Sequence, residues 1–150
     1  MQQLAAELDQ LINLAKPELE SIPSASFSEK PLPHKWSKKE IIGHLIDSAQ
    51  SNIRRFLVAQ YEDKPHIVYN QDKWVAANGY QDWEASELIS LWYLLNRQIS
   101  QILRNIPPTA VKRECQTEAL HSLEWLAEDY VKHLRHHLHQ VVGWEPVPYA

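Results

Sequence analysis

Apolar residues recur at intervals of three and four along four stretches of this chain, and prolines mark the spaces between them. The first stretch covers roughly residues 2–22, with Leu4, Leu8, Leu11, Ile12 and Leu19 on one stripe. Pro17 inside it predicts a kink or a break, because proline lacks a backbone donor and crowds the carbonyl four residues earlier. A proline-rich connector, 23–33, follows. The second stretch starts sharply: Ser37 with Glu40 three residues later forms a capping box, and Trp36 stands in the staple position before it. Ile41, Ile42, Leu45, Ala49, Ile53, Phe56 and Leu57 then supply a broad apolar face that continues to about Tyr61. The third runs over about 86–105 on Leu88, Ile89, Trp92, Leu95, Ile99, Ile102 and Leu103, and Pro107-Pro108 stop it. The fourth begins near Ser122 and reaches about Val142, closed by Gly143 and Pro146.

Between the second and third helices lies a crossover, about 62–85, containing Pro65, Asn78-Gly79 and the aromatics Tyr69, Trp74, Tyr80 and Trp83. A link of that length usually carries function or packs as a lid. No alternating pattern long enough for a useful strand is visible. The prediction is an all-α fold: one domain over residues 1–150, a four-helix bundle with a long connection between its second and third helices. A chain of 150 residues can bury roughly two-thirds of its unfolded surface. Its 44% hydrophobic and 23% charged residues place it among globular rather than disordered chains.

Composition narrows the chemistry. Three glycines argue against a glycine-rich phosphate loop, and a net charge of -4 gives no electrostatic footprint for nucleic acid. Lys38-Lys39 and Arg54-Arg55 are only short basic clusters. No apolar run of about 18 residues predicts a membrane span, and no leader pattern opens the chain, so the expected compartment is the cytoplasm. Cys115 is alone, which excludes an intrachain disulfide and suits a reducing compartment. It is expected in a loop without a neighbouring base, as an unremarkable free thiol.

Eight histidines are the compositional excess, and five of them fall between His121 and His139. On the fourth helix, His133 and His137 interleave with Leu126, Tyr130, Leu134, Leu138 and Val141 on one face. His139 shares the opposite face with Glu128, Lys132 and Arg135, while His136 lies at the edge with Trp125, Asp129 and Gln140. Histidines four apart stand one above the other, close enough for both rings to reach one ion at about 2.0–2.1 Å. Burying them unpaired would cost roughly 1–3 kcal/mol for each unsatisfied nitrogen. A helical pair of this kind also arises by chance in a histidine-rich helix facing water. The second helix tilts the balance: His44 lies at the margin of its apolar face, and Asp47, Ser48, Ser51, Asn52 and Arg55 continue a polar strip along that margin. Facing helices of a bundle build metal sites in this way.

The segment Trp36-Ser37-x-x-Glu40-x-x-Gly43-His44-Leu45-x-Asp47-Ser48, with Glu124-Trp125-Leu126-x-x-Asp129-Tyr130-x-x-His133-x-x-His136-His137-x-x-Gln140 later in the chain, resembles the DinB-like superfamily. Within it the chain is most similar to the YfiT-like branch of metal-dependent hydrolases and bacillithiol transferases. The resemblance implies a bundle with long connections and one divalent ion, nickel or zinc, held by His44, His133 and His137. It also implies homodimers and a small-molecule substrate, among them a low-molecular-weight thiol.

Three neutral imidazoles with open positions are typical of catalytic rather than structural sites. An ion so held can acidify a water for hydrolysis or a thiol for transfer, and the ligands do not choose between the two. Asp47, one turn beyond His44, is a candidate general base or ligand-orienting acceptor, or else an ordinary solvent-facing carboxylate. Arg55 is a candidate for holding an anionic substrate group. Asn52 and Gln140 are candidate cavity-lining residues. Two readings without catalysis stand beside the enzyme: a metal-stabilised stress or interaction protein, and a ligand-binding module.

Overall fold

The computed structural model describes residues 1–149. Four long helices carry the fold: α1 (Gln2–Glu20), α3 (Lys38–Val58), α5 (Ala85–Asn105) and α6 (Leu123–Val142). Shorter elements fill the connections, namely α2 (Ser24–Ser28), α4 (Gln71–Asn78), a 3-10 turn over Tyr80–Asp82, and a hairpin of β1 (Glu114–Gln116) and β2 (Leu120–Ser122). Around the bundle axis α5 packs on α1 and α3, and α6 packs on the other sides of the same two helices. The ring order is therefore α1, α5, α3, α6. Helices consecutive along the chain stand diagonally at α1–α3 and at α5–α6, which is why those two links must cross an end of the bundle. No helix is long and apolar enough to cross a membrane among the described residues.

Local sequence explains where the helices begin and end. Ser37 accepts from the Glu40 amide while the Glu40 side chain accepts from the Ser37 amide, completing the capping box at the start of α3. Ser122 caps α6 by accepting from the Trp125 amide, and Gly143, at φ 74°, supplies the left-handed residue that ends it. Pro17 does not break α1. It forgoes the bond to the Asn13 carbonyl, but only one turn of helix follows it, and buried Ala15 and Leu19 hold the helix to the core on either side. Leu8, Ile12, Leu45, Trp92, Ile99 and Leu138 fill the centre. Each such side chain contributes about 1.5–3 kcal/mol when fully removed from water. Across the same centre the Tyr130 hydroxyl donates to Asn96 Oδ1 at 2.6 Å, tying the diagonal pair α5 and α6.

The crossover is more structured than an open loop. Ile67 N donates to Gln116 O and Gln116 N to Pro65 O, both at 2.9 Å, so its first half adds to β1 of the hairpin. Cys115 is thus in a strand, not a loop, and it is buried, with its thiol donating to Pro65 O. Burial pushes that thiol above its ordinary range, which leaves it inert as a nucleophile. In the second half of the crossover, Tyr80 lies flat on Gly43 of α3. A Cβ at position 43 would stand 2.0 Å from Tyr80 Cδ2. The glycine that weakens the middle of a helix is what allows this aromatic ring to approach.

Candidate metal centre

Because α3 and α6 are neighbours in the ring, His44 meets the His133–His137 pair. His44 is 1% exposed. Its Nε2 lies 3.1 Å from Nε2 of His133, and one ring nitrogen from each of the three histidines falls within 4.8 Å of the others. Two nitrogens on one ion at about 2.0–2.1 Å are separated by roughly 2.9–3.4 Å for octahedral or tetrahedral angles. The observed separation of the first pair falls in that interval. The rings meet edge to face, with centroids 4.6–5.0 Å apart and interplanar angles of 74–78°, as expected when several imidazoles aim at one point.

The surroundings fix how these rings present themselves. The Nδ1 of His137 donates to Gln140 Oε1 at 2.9 Å, leaving Nε2 free to face the other two rings. The indole of Trp36 lies against His44 at 5.1 Å between centroids, sealing its outer side. Burial pushes all three imidazoles below their ordinary pKa, helped at His44 by His137 and at His133 by both neighbours. His44 falls to about 4. Neutral, mutually facing nitrogens at the edge of a cleft are the donor set a divalent transition metal requires.

These shifts predict how the metal-free protein responds to acid. Unfolded chains protonate their histidines near pH 6.5, whereas the folded rings of His44 and His133 refuse protons until well below that and His137 is lowered in the same direction. Stability therefore falls as pH drops from about 6.5 towards 4. Asp47 works in the opposite sense, since burial holds its carboxyl up at about 6 against 3.8 unfolded, so acid favours its folded form. Three histidines outweigh one carboxyl. Urea midpoints of chelator-treated protein should decline between neutral pH and about pH 5, and a midpoint that climbs on acidification would contradict this assignment.

Asp47 itself is completely buried. Its Oδ1 accepts from the Tyr80 hydroxyl at 2.6 Å and from Asn78 Nδ2 at 3.2 Å, so it clasps the crossover to α3. Its Oδ2 and the Nδ1 of His44 are both buried without a hydrogen-bond partner among the described residues.

A cleft of about 490 Å³ opens beside the histidines. His133, Asp129 and Tyr130 of α6 line it together with Ser48, Asn52 and Arg55 of α3. The hairpin tip at Thr117, Glu118 and Ala119 and the crossover from Val68 to Gln71 form the opposite wall. The segment after α6 folds back: Val147 O meets His136 Nδ1 at 3.0 Å, and the Tyr149 hydroxyl donates to the Asp129 carboxylate while its ring stands 5.4 Å from that of His133. The fold thus brings His44, His133 and His137 together and sets Asn52 and Arg55 in the adjoining cleft. Asp47 does not line that cleft, and Gln140 is exposed and turned to His137 instead. His139 is outside the cluster. Sequence reasoning did not reach Asp129 and Tyr149 as cleft residues. Asp129 was legible in principle, one turn before His133, whereas nothing in the local pattern announces the return of Tyr149.

Comparison with known proteins agrees with the fold. YfiT from Bacillus subtilis, described as a probable metal-dependent hydrolase with an unusual four-helix bundle topology, superposes with a TM-score of 0.73 at 19% identity. That match covers 95% of this chain and 87% of YfiT. A mycothiol-dependent maleylpyruvate isomerase superposes with a TM-score of 0.78 at 14% identity over 96% of this chain. A histidine-to-alanine mutant of the same isomerase gives 0.79 at 12% identity. The chain spans 61% of the isomerase's length. At these identities the likeness is one of fold. No curated protein matches the sequence. A family model for the DinB superfamily matches residues 4–141, nearly the whole chain, and the protein belongs to that superfamily.

Proposed function

We propose that this protein is a metal-dependent enzyme that holds one divalent ion, nickel or zinc, on His44, His133 and His137. On this reading it acts on a small molecule in the adjoining cleft, by thiol transfer or by hydrolysis. The observation that carries it is the pair of neutral Nε2 atoms facing each other at 3.1 Å, with His133 also forming part of the cleft wall. When bound, such an ion polarises a substrate oxygen or acidifies a water or thiol towards neutral pH.

The chain's own residues supply the rest. Gln140 sets the tautomer of His137. Trp36 excludes water behind His44. Asp47 is a positioning residue that secures Tyr80 and the crossover against the helix carrying His44. Asn52 and Arg55 contact the substrate. A small-molecule role is consistent with the descriptions of the two structural relatives, one a probable metal-dependent hydrolase and the other a mycothiol-dependent maleylpyruvate isomerase.

The test is elemental analysis of purified protein, followed by turnover assays with a thiol plus an electrophile and with an ester and amide panel. The reading predicts one ion per chain and turnover in one panel that a chelator abolishes. Full metal occupancy with no turnover in either panel would leave a ligand-binding protein and overturn the enzyme assignment.

A further inference from the structure

Arg55 is unlike the other arginines that contact carboxylates. Arg97 and Arg104 pair with Asp9, and Arg135 with Glu7. Arg55 is half-buried, and no carboxylate lies within ion-pair distance of it among the described residues. Its Nε donates to Ile67 O at 3.1 Å and its Nη1 to Asn52 Oδ1 at 3.4 Å, while its Nη2 group has no protein acceptor among the described residues. A desolvated guanidinium with donors to spare, in the wall of a cleft, is a preformed anion receptor.

Its distance from the histidines is set by a rigid rod. His44 and Arg55 lie on the same helix, eleven residues or about three turns apart, and therefore on nearly the same face. Their Cα atoms are separated by about 16 Å of helical rise. Helical side chains lean towards the N-terminus, which brings the long Arg55 side chain back towards the centre and leaves about 10–14 Å between its guanidinium and the histidine nitrogens. Ser48 and Asn52 occupy the intervening turns and also face the cleft. The carboxylates around Arg55, one on each wall, determine the kind of anion. Glu118 and Asp129 line the same cleft, so a dianionic phosphate would be repelled where a single carboxylate is accommodated.

We propose that the substrate carries one carboxylate, gripped by Arg55 about 10–14 Å from the metal centre, and reacts at its other end. This rests on the metal-site reading above for what happens at that far end, but not for the anion subsite itself.

The experiment uses two probes of equal length, mercaptooctanoate and mercaptooctanol, titrated calorimetrically into the metal-loaded and the metal-free protein. Octanoate and octanol are run in parallel as probes without a thiol. A charge-assisted, two-point contact predicts that each acid binds about tenfold or more tighter than its alcohol. The preference should vanish in Arg55→Gln and survive in part in Arg55→Lys, which keeps the charge but not the fork. Because the readout is a ratio of two affinities in one protein, a general loss of packing at position 55 does not imitate it. Equal affinities for acid and alcohol, or a preference that persists in Arg55→Gln, would overturn the proposal. Displacement of mercaptooctanoate by inorganic phosphate at comparable concentration would overturn the single-carboxylate assignment. If the protein takes up no metal, the function proposed above fails, and the octanoate and octanol pair still decides the role of Arg55.

Discussion

His133→Ala abolishes metal retention and lowers the melting temperature of the metal-loaded protein, whereas His139→Ala does neither. His133 is the proposed ligand that touches both of the others and also lines the cleft. Its Nε2 faces that of His44 at 3.1 Å, and its ring contacts His137 edge to face. Removing one of three ligands should weaken binding by about 100-fold or more, since losing a supporting outer residue alone costs 10–100-fold. At an ion concentration near 100 times the dissociation constant, that loss removes about 2–3 kcal/mol of stabilisation. For a chain of this size this corresponds to a fall of about 5–10 °C. The metal-free proteins should differ much less, because His133→Ala also deletes a ring whose burial is costly without an ion. His139 lies outside the cluster and serves as the control on the same helix. Metal content by elemental analysis, with melting curves before and after chelation, checks both statements. Equal stoichiometry in the two variants would remove the metal centre from the account.

The second large effect is expected where helix propensity gives the wrong sign. At an ordinary helical site, glycine to alanine gains about 0.8–1.0 kcal/mol. Gly43→Ala should instead cost about 2–4 kcal/mol, because the new methyl group would lie 2.0–2.5 Å from three atoms of the Tyr80 ring. The ring cannot step aside cheaply. It is 2% exposed, and its hydroxyl is held by Asp47, so displacing it also leaves a buried carboxylate without its best donor. A double-mutant cycle isolates the cause. On a Tyr80→Ala background the same Gly43→Ala change should become neutral or stabilising, with urea denaturation as the measure. A penalty of the same size on both backgrounds would show that the ring is not what the glycine makes room for.

The four long helices were legible in the sequence because each buries a stripe wide enough to show a period near 3.6, and because Ser37, Glu40, Ser122 and Gly143 mark their ends chemically. The clustering of His44, His133 and His137 was legible for a related reason: a polar residue repeated at helical spacing inside an apolar face needs a partner. What escaped is what depends on contacts distant in the chain. Three-residue strands are too short to alternate visibly, and β1 is stabilised by Pro65 and Ile67, some fifty residues earlier. The short α4 buries only Val75, so its pattern is faint. Asp47 was read as a base, an acceptor or a solvent-facing carboxylate, and its complete burial rules out the last. Its partners, Tyr80 and Asn78, come from a crossover whose path no local rule dictates.

The cleft has two walls built from different material. One consists of α3 and α6, whose side chains are fixed by the bundle core and by the histidines themselves. The other is the turn at Thr117–Ala119 and the extended run around Tyr69, both held mainly by a few backbone hydrogen bonds. Selection can therefore rewrite the second wall residue by residue, altering the shape of the opening, while the histidine cluster keeps its geometry. Variation is in this way confined to the part of the molecule that the core does not need.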